Sequence, residues 1–362
     1  MKIKVNKEEL LAVIGIVGNI VSTRATLPIL SNMMLEAKDD VLKLNTTDLD
    51  IGISCELPVH IFEQGAITVP AKKFSDIVRE LPPGEVVVYV RKNNQVEIEG
   101  ASCRFKLNGL PKEEFPKFPE FKDKDAVLMK QKDLKDMIRL TNFAVSFEES
   151  RYVLNGILLE VFNDMVRMVA TDGRRLAKIE KKLLQPVSKE MSIIIPIKAI
   201  HEINRNLKET GECSIIYGTN QVLFNIDGHL IATRIIEGEF PNYQQVIPKE
   251  ISTKAKGKTQ DILAAIRRAN LLSTPDFQAI KFELFKDKMV ISKSTPDIGE
   301  SREEVAIEYG HEELMAGFNP QFFIDVLKNL SDETIELEFL GPDKPCVLRL
   351  RDYLYLALPM RL

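Results

Sequence analysis

The sequence predicts three tandem α+β domains, each with two helices and a large, mostly antiparallel sheet. Three observations carry this expectation: a length of 362 residues, motifs that recur at one spacing, and the same order of helix-like and strand-like stretches in each third. A chain this long exceeds one ordinary domain. Its 44 % hydrophobic and 28 % charged residues suit packed cores and not a disordered chain.

The repeat is read from three markers. Pro70 followed by Phe74 and Ile77 returns as Pro196, Ile200 and Ile203, and again as Pro320, Ile324 and Leu327. Each copy reads as a strand or turn, then a proline at a helix start, then a short amphipathic helix. Glu114-Phe115-Pro116 returns as Glu239-Phe240-Pro241, each after a strand-like stretch (104–107 and 230–236). Thr47-Asp48 returns as Thr171-Asp172, with a poorer match at Ser294-Thr295-Pro296-Asp297. A period this long is that of a whole domain and not of a solenoid repeat.

The elements follow in order. Longer helices are expected over 10–21, 134–146 and 262–273, where apolar residues recur at helical spacing. Strands are expected over 86–90, 156–161, 191–195 and 334–340. Segments 117–125 and 248–258, rich in Lys, Pro and polar residues, read as linkers. The expected domains are therefore 1–120, 127–246 and 247–362.

The formal net charge of −4 excludes a uniformly basic nucleic-acid binder. Local placement differs. Leu134, Met137, Ile138 and Val145 form one helix stripe, and Lys132, Lys135, Arg139 and Asn142 form the opposite one, which holds no acid. In the short helices Lys72 and Arg79, then Lys198 and Arg205, face away from the apolar side; the third copy offers Arg267, Arg268 and Lys328. One such face reads as solvated surface. Its recurrence in equivalent helices equally supports a lining that meets phosphates without reading bases. If helices about 10 Å wide lined a ring, six would leave a hole of about 10 Å and twelve roughly 28 Å. Only the second admits duplex DNA, so a ring built from this chain would be a head-to-tail dimer closed between first and third repeats.

Enzyme motifs fail on inspection. Gly257-Lys258-Thr259 lacks the first glycine of a phosphate-binding loop, whose place Ser252 takes. His311-Glu312-Glu313-Leu314-Met315 lacks the second histidine of a zinc protease. The four histidines and the dispersed Cys55, Cys103, Cys213 and Cys346 suggest no metal cluster. Asp48, Asp50 and Asp172 as nuclease ligands are weighed against a turn in which each Thr-Asp pair accepts backbone N–H bonds; recurrence favours the turn. No catalytic residue, metal or cofactor is expected. Two further readings stay open: a metal-dependent nuclease or nucleotidyltransferase, and a protein-only scaffold. Charges near the N-terminus interrupt any signal-peptide core, and stretch 10–21 is too short to span a bilayer, so no membrane partner and a cytoplasmic location are expected.

Several segments resemble one family. They are Arg24-Ala25-Thr26-Leu27-Pro28-Ile29-Leu30, Val69-Pro70-Ala71-Lys72-Lys73-Phe74, Arg151-Tyr152-Val153-Leu154-Asn155-Gly156 and Ala170-Thr171-Asp172-Gly173-Arg174-Arg175-Leu176-Ala177, with a terminal Leu358-Pro359-Met360-Arg361-Leu362. In this order, over the whole chain, they resemble the bacterial DNA polymerase III beta subunits, the DNA sliding clamps. The resemblance implies the clamp fold in a head-to-tail homodimeric ring. That ring would encircle double-stranded DNA and slide, confer processivity on the replicative polymerase, and catalyse nothing. Its partners would be the clamp loader, the polymerase III alpha subunit, other polymerases and repair proteins carrying a clamp-binding motif.

The resemblance also implies site residues. DNA contacts would come from Arg24, Lys72, Arg79, Tyr152 and Lys198. A partner-peptide pocket between second and third domains would use Leu154, Thr171, Gly173, Arg174, Arg175, Leu176, Pro241, Val246, Phe322, Leu356, Leu358 and Met360. Ring closure would set Lys73 and Phe105 of one copy against Leu271 and Leu272 of the other. The chain departs from the family at Gln244 and Gln245, where arginine is frequent, at Arg174, a histidine in some relatives, and at Glu148, a glutamine in some.

Overall fold

The computed structural model describes residues 1–21, 27–121, 126–249 and 253–362. The first repeat holds β1 (Lys2–Asn6), α1 (Lys7–Val17), β2 (Asn32–Lys38), β3 (Val41–Thr47), β4 (Ile51–Pro58), β5 (His60–Glu63), β6 (Gly65–Pro70), α2 (Ala71–Glu80), β7 (Glu85–Val90), β8 (Gln95–Gly100) and β9 (Cys103–Asn108). The second holds β10 (Val127–Lys130), α3 (Gln131–Thr141), β11 (Gly156–Phe162), β12 (Met165–Thr171), β13 (Arg175–Lys182), β14 (Met191–Pro196), α4 (Ile197–Asn206), β15 (Glu212–Tyr217), β16 (Gln221–Ile226) and β17 (His229–Arg234). The third holds β18 (Thr253–Lys258), α5 (Thr259–Asn270), β19 (Ile280–Phe285), β20 (Lys288–Thr295), β21 (Gly299–Glu308), β22 (Leu314–Phe318), α6 (Pro320–Leu327), β23 (Thr334–Phe339), β24 (Cys346–Arg349) and β25 (Tyr353–Ala357). One order runs through all three: strand, long helix, four strands, short helix, three strands. The first copy adds β5.

The prolines that marked the repeat do as expected. Pro70 and Pro196 end strands immediately before α2 and α4, and Pro320 is the first residue of α6, where a missing N–H costs nothing. The longer helices begin earlier than the apolar spacing predicts. In α1 the reason is Asn6, whose Oδ1 accepts from the backbone N–H of Glu8 and Glu9 at 2.9 and 3.1 Å and so starts the helix at Lys7, three residues ahead of Leu10. The expected linker 248–258 is corrected in its second half. Residues 253–258 are β18, paired along its length with β23. Buried Ala255 and Gly257 alternate with outward Lys254, Lys256 and Lys258, a strand pattern that the lysines disguise as polar linker.

The strands form sheets of five (β5-β1-β7-β8-β9), eight (β10-β15-β16-β17-β4-β3-β2-β6) and twelve (β14-β11-β12-β13-β25-β24-β23-β18-β21-β20-β19-β22). The chain divides into two compact units, Met1–Lys132 with Lys198–Ile235, and Asp133–Ile197 with Ile236–Leu362. Each half of the second repeat thus joins a neighbour. In the first unit β17 continues the sheet of β4, with Ile51 opposite Thr233 and Gly52 opposite Ala232. In the second unit β25 continues the sheet of β13, with Arg175 opposite Ala357 and Leu176 opposite Leu356. These registers are repeat images of each other, so one pairing rule is used twice.

Candidate functional site

The second unit brings most of the expected peptide-pocket residues together, around the turn between β12 and β13. Asp172 Oδ1 accepts from the backbone N–H of Arg174 and Arg175 at 2.9 and 3.0 Å, and Thr171 Oγ1 accepts from Gly173 N–H at 3.0 Å. Gly173 has φ +86, a left-handed conformation that glycine takes without a Cβ penalty. The first repeat builds the same turn: Asp48 Oδ1 accepts from Asp50 and Ile51 N–H at 3.0 and 2.7 Å. The aspartates are turn acceptors, as recurrence suggested. Among the described residues no group of three or more His, Cys, Asp or Glu is arranged to hold a metal ion.

Arg175 turns inward. It lies in a buried cluster, donating from Nε to Asp172 Oδ2 at 3.0 Å, from Nη1 to Asp325 Oδ2 at 2.8 Å and from Nη2 to the Phe143 carbonyl. Its guanidinium also stacks over the Phe322 ring, 4.8 Å from the centroid. Burial opposes its charge, but the Asp325 and Asp172 carboxylates beside it outweigh burial and hold it more firmly cationic than a free arginine. Tyr355 in turn donates to the Phe322 carbonyl at 2.8 Å. The network ties β13 of the second repeat to α6 and β25 of the third. Phe322 is buried here, presenting its ring to Arg175.

Beside this network lies an apolar cluster of buried Leu158, Val169, Leu176, Ile194, Tyr243, Val347, Leu354 and Leu356, with half-buried Leu358, Phe240 and Val153 packed against it. Leu176 and Leu356, each 2 % exposed, form its floor. Leu358 and Met360 are half-buried, Leu154 and Thr171 buried, and Gly173, Arg174, Pro241 and Val246 exposed. Gln244 and Gln245 are exposed beside Val246. The sequence reading missed Tyr243, whose hydroxyl donates to Glu160 Oε2 at 2.7 Å and accepts from Arg167 at 2.9 Å, pinning residues 243–246 onto β11 and β12. Its signal was present: Tyr243 follows Phe240-Pro241 as Phe118 follows Phe115-Pro116.

The basic faces are more engaged than their sequence suggests, because an acid off the α3 stripe still reaches a cation on it. Asp136, one turn back, reaches Arg139 at 2.8 Å, and Arg139 also donates to the Asn329 carbonyl. Arg205 pairs with Glu202 at 2.6 Å, Arg268 with Glu303 at 2.7 Å and Lys328 with Asp325 at 2.7 Å. Arg79 lies 3.5 Å from Asp76, and Lys198 is paired with Asp48. Lys72 is exposed and lines, with Arg79, a cleft of about 430 Å³ against Gly15, Gly18 and Asn19. Tyr152 is 57 % exposed. Glu148 is exposed and lies 3.5 Å from Arg151. Arg24 lies outside the described residues.

The expected closure residues flank open sheet edges. β9 is the outer strand of the five-stranded sheet, and Phe105 on it is 39 % exposed. β21 pairs with β20 from Gly299 to Ala306 but meets β18 only at Ile307 and Glu308, so its first part offers a free edge. Leu271, just after α5, is 81 % exposed, and Leu272 is half-buried. Lys73 is exposed on α2.

Comparison with known proteins agrees with this architecture. Sequence models of the DNA polymerase III beta subunit match the chain three times, the N-terminal domain over residues 1–119, the central domain over 128–242 and the C-terminal domain over 244–361. A beta sliding clamp of Chlamydia pneumoniae is 31 % identical, covering 100 % of this chain and 99 % of that protein. The crystal structure of the DNA polymerase sliding clamp from Bacillus subtilis superposes with a TM-score of 0.97 at 31 % identity, covering 100 % of this chain and 99 % of that one. A Pseudomonas aeruginosa sliding clamp solved bound to griselimycin superposes at 0.95 with 30 % identity, covering 100 % of both chains.

Proposed function

The chain belongs to the DNA polymerase III beta subunit family, the DNA sliding clamps, non-catalytic processivity factors of the polymerase holoenzyme, and we propose that two copies close head to tail into a ring around duplex DNA. One observation carries the closure. The repeat-equivalent strands β9, β17 and β25 have equivalent partners β4, β13 and β21. Within the chain β17 takes β4 and β25 takes β13. That leaves β9 and the first part of β21 over, one at each end of the series. A second copy satisfies both, and Phe105 and Lys73 then meet Leu271 and Leu272. We place the domains at 1–120, 127–246 and 247–362, near the matched segments 1–119, 128–242 and 244–361.

Retention is by topology, and the ion-paired helix faces suit it. A clamp that bound phosphates tightly would not slide. Lys72, Arg79, Lys198, Tyr152 and Arg24 make the DNA contacts in this reading. The test is mass and retention. Light scattering should give twice the 41.0 kDa of one chain. After loading, the protein should stay on nicked circular DNA and run off once the circle is cut. A monomer, or equal loss from both DNAs, would refute the ring. Lys72, which has no ion pair among the described residues, should matter more than Lys198. Lys72→Ala is expected to flatten the slope of log affinity against log salt by about 0.9, and Lys198→Ala by less, because Asp48 already neutralises that ammonium.

The cluster around Leu176, Leu356 and Leu358 is proposed as the partner-peptide site, used in turn by the clamp loader, the polymerase III alpha subunit, other polymerases and repair proteins in the cytoplasm. An apolar floor with a polar rim takes a leucine or phenylalanine anchor. No described helix is long and apolar enough to cross a membrane. Leu358 is the side chain to change, because buried Leu176 and Leu356 also hold the core. Leu358→Ala is expected to weaken a Leu-Phe-bearing partner peptide about tenfold, a loss near 1.4 kcal/mol, in a calorimetric titration, with the dimer mass unchanged. Undiminished affinity would remove this site from consideration.

A further inference from the structure

We propose that the join of the first and second repeats carries a second binding site, one that takes the phenol ring of a tyrosine presented by a partner segment. The cavity lies within the first unit, and its volume is about 160 Å³. A cavity of roughly 150 Å³ accommodates a benzene ring. Its walls include Phe115, Phe118 and Ala232, and its rim carries Asp50 and Arg234.

The site is the repeat image of the peptide cluster, with the floor removed. Gly52 stands opposite Ala232 where Leu176 stands opposite Leu356. Phe118 occupies the place of Tyr243, and a Cβ on Gly52 would lie 3.2 Å from its ring. Two large side chains are therefore replaced by a glycine and an alanine, and part of the resulting space stays open. Selection for packing alone would fill it, since interiors tolerate few voids.

Two observations beyond volume point to a ligand. Asn45 lines the cavity, is 3 % exposed, and its Oδ1 accepts no hydrogen bond among the described residues. A buried acceptor without a donor is costly, and a ligand hydroxyl would satisfy it. Leu49, which also lines the cavity, holds φ +81 at the position where the peptide site has Gly173 at φ +86. A leucine kept in a glycine conformation is strain of the kind stored at ligand clamps. An apolar ring wall, one buried acceptor and a charged rim describe a phenol whose backbone stays outside. The ring-and-donor chemistry stands on this cavity; a protein segment as its source rests on the peptide reading above.

The test uses the full-length protein with methyl labels on alanine and leucine. N-acetyl-tyrosinamide, N-acetyl-phenylalaninamide and phenol are titrated while the Ala232 and Leu49 methyl resonances are followed. The tyrosine probe should shift both to saturation. The phenylalanine probe, lacking the donor, should bind roughly tenfold more weakly, the equivalent of one hydrogen bond. Phenol should also be weaker than the tyrosine probe, because it cannot reach the rim; equal affinity would overturn the protein source. In Ala232→Leu, which restores the side chain of the other site, the Leu49 methyls should no longer respond to the tyrosine probe. No shift at these methyls, or equal affinity for the tyrosine and phenylalanine probes, overturns the proposal without any variant. Repeating the titration in Leu358→Ala separates the two readings: loss of partner-peptide binding with an intact Ala232 response supports both sites independently. An Ala232 response that vanishes with Leu358 would overturn the separate site.

Discussion

Replacing Arg175 with alanine is expected to destabilise the second unit by about 3–5 kcal/mol, more than any other single change near the peptide cluster. The substitution removes one cation and takes a donor from three acceptors, Asp172, Asp325 and the Phe143 carbonyl. Asp172 loses its bond to Nε, and Asp325, 7 % exposed, loses its bond to Nη1. Lys328 and Gln321 still reach Asp325, so the carboxylate is not wholly abandoned, but its buried partner is gone. The stacking over Phe322 goes as well. Because the chain divides into two compact units, the effect is best read locally, as faster amide exchange in α6 and a lower urea midpoint for the second unit. Replacing both ions by apolar residues, Arg175→Met with Asp325→Leu, should recover much of the loss, since burying an ion pair is itself expensive. Equal exchange rates in α6 for the parent and Arg175→Ala would show that the cluster holds nothing together.

The same pair makes acid a specific stress. Burial pushes the Asp325 carboxyl up, but bonds from Arg175, Lys328 and Gln321 prevail and hold it below the usual carboxylate range. A group whose folded value is depressed contributes stability above its unfolded value, near pH 4, and loses it as pH falls through the folded value. Asp325→Asn should therefore flatten the acid limb of the stability profile in the second unit while lowering stability at neutral pH.

The three-domain plan was legible because its markers answer local backbone needs. Pro70, Pro196 and Pro320 sit where a helix start needs no N–H, and Asp48 and Asp172 accept the same two turn amides. What was not legible depends on partners far along the chain. β17 of the second repeat extends the sheet of the first, and no local pattern announces which edge a strand will join. The lysines of β18 hid a strand because its inward residues are only Ala255 and Gly257. The stripe on α3 holds no acid, but Asp136 lies off it and pairs with Arg139 from one turn away. Arg175 was expected only as a pocket residue, and its place in a buried ion pair was not legible because its carboxylate partner Asp325 lies 150 positions on. The open cavity beside Gly52 could be seen only after the register showed which residues replace Leu176 and Leu356.

Leu271→Ala is expected to break the ring. A leucine 81 % exposed at the end of α5 is a large apolar surface left in water in a single chain, and closure against Phe105 removes both from solvent. Truncating one well-buried anchor at an interface costs about 2 kcal/mol. A head-to-tail dimer has two identical interfaces, so every substitution acts twice. The cost becomes about 4 kcal/mol per ring, or roughly a thousandfold in the dissociation constant. The strand pairing of β9 with β21 cannot compensate, because edge amides freed in the monomer bond to water and little net energy is at stake. The folded chain itself should be unaffected, since Leu271 packs against little in it. Sedimentation across a dilution series should show monomer at concentrations where the parent is dimeric, and the half-life on nicked circles should collapse while partner-peptide affinity is kept. If mass and half-life both match the parent, the β9–β21 closure is wrong. A second double variant, Phe105→Ala with Lys73→Ala on the opposite end of the series, must then be inert as well. If instead it opens the ring while Leu271→Ala does not, β9 meets some surface other than the end of α5.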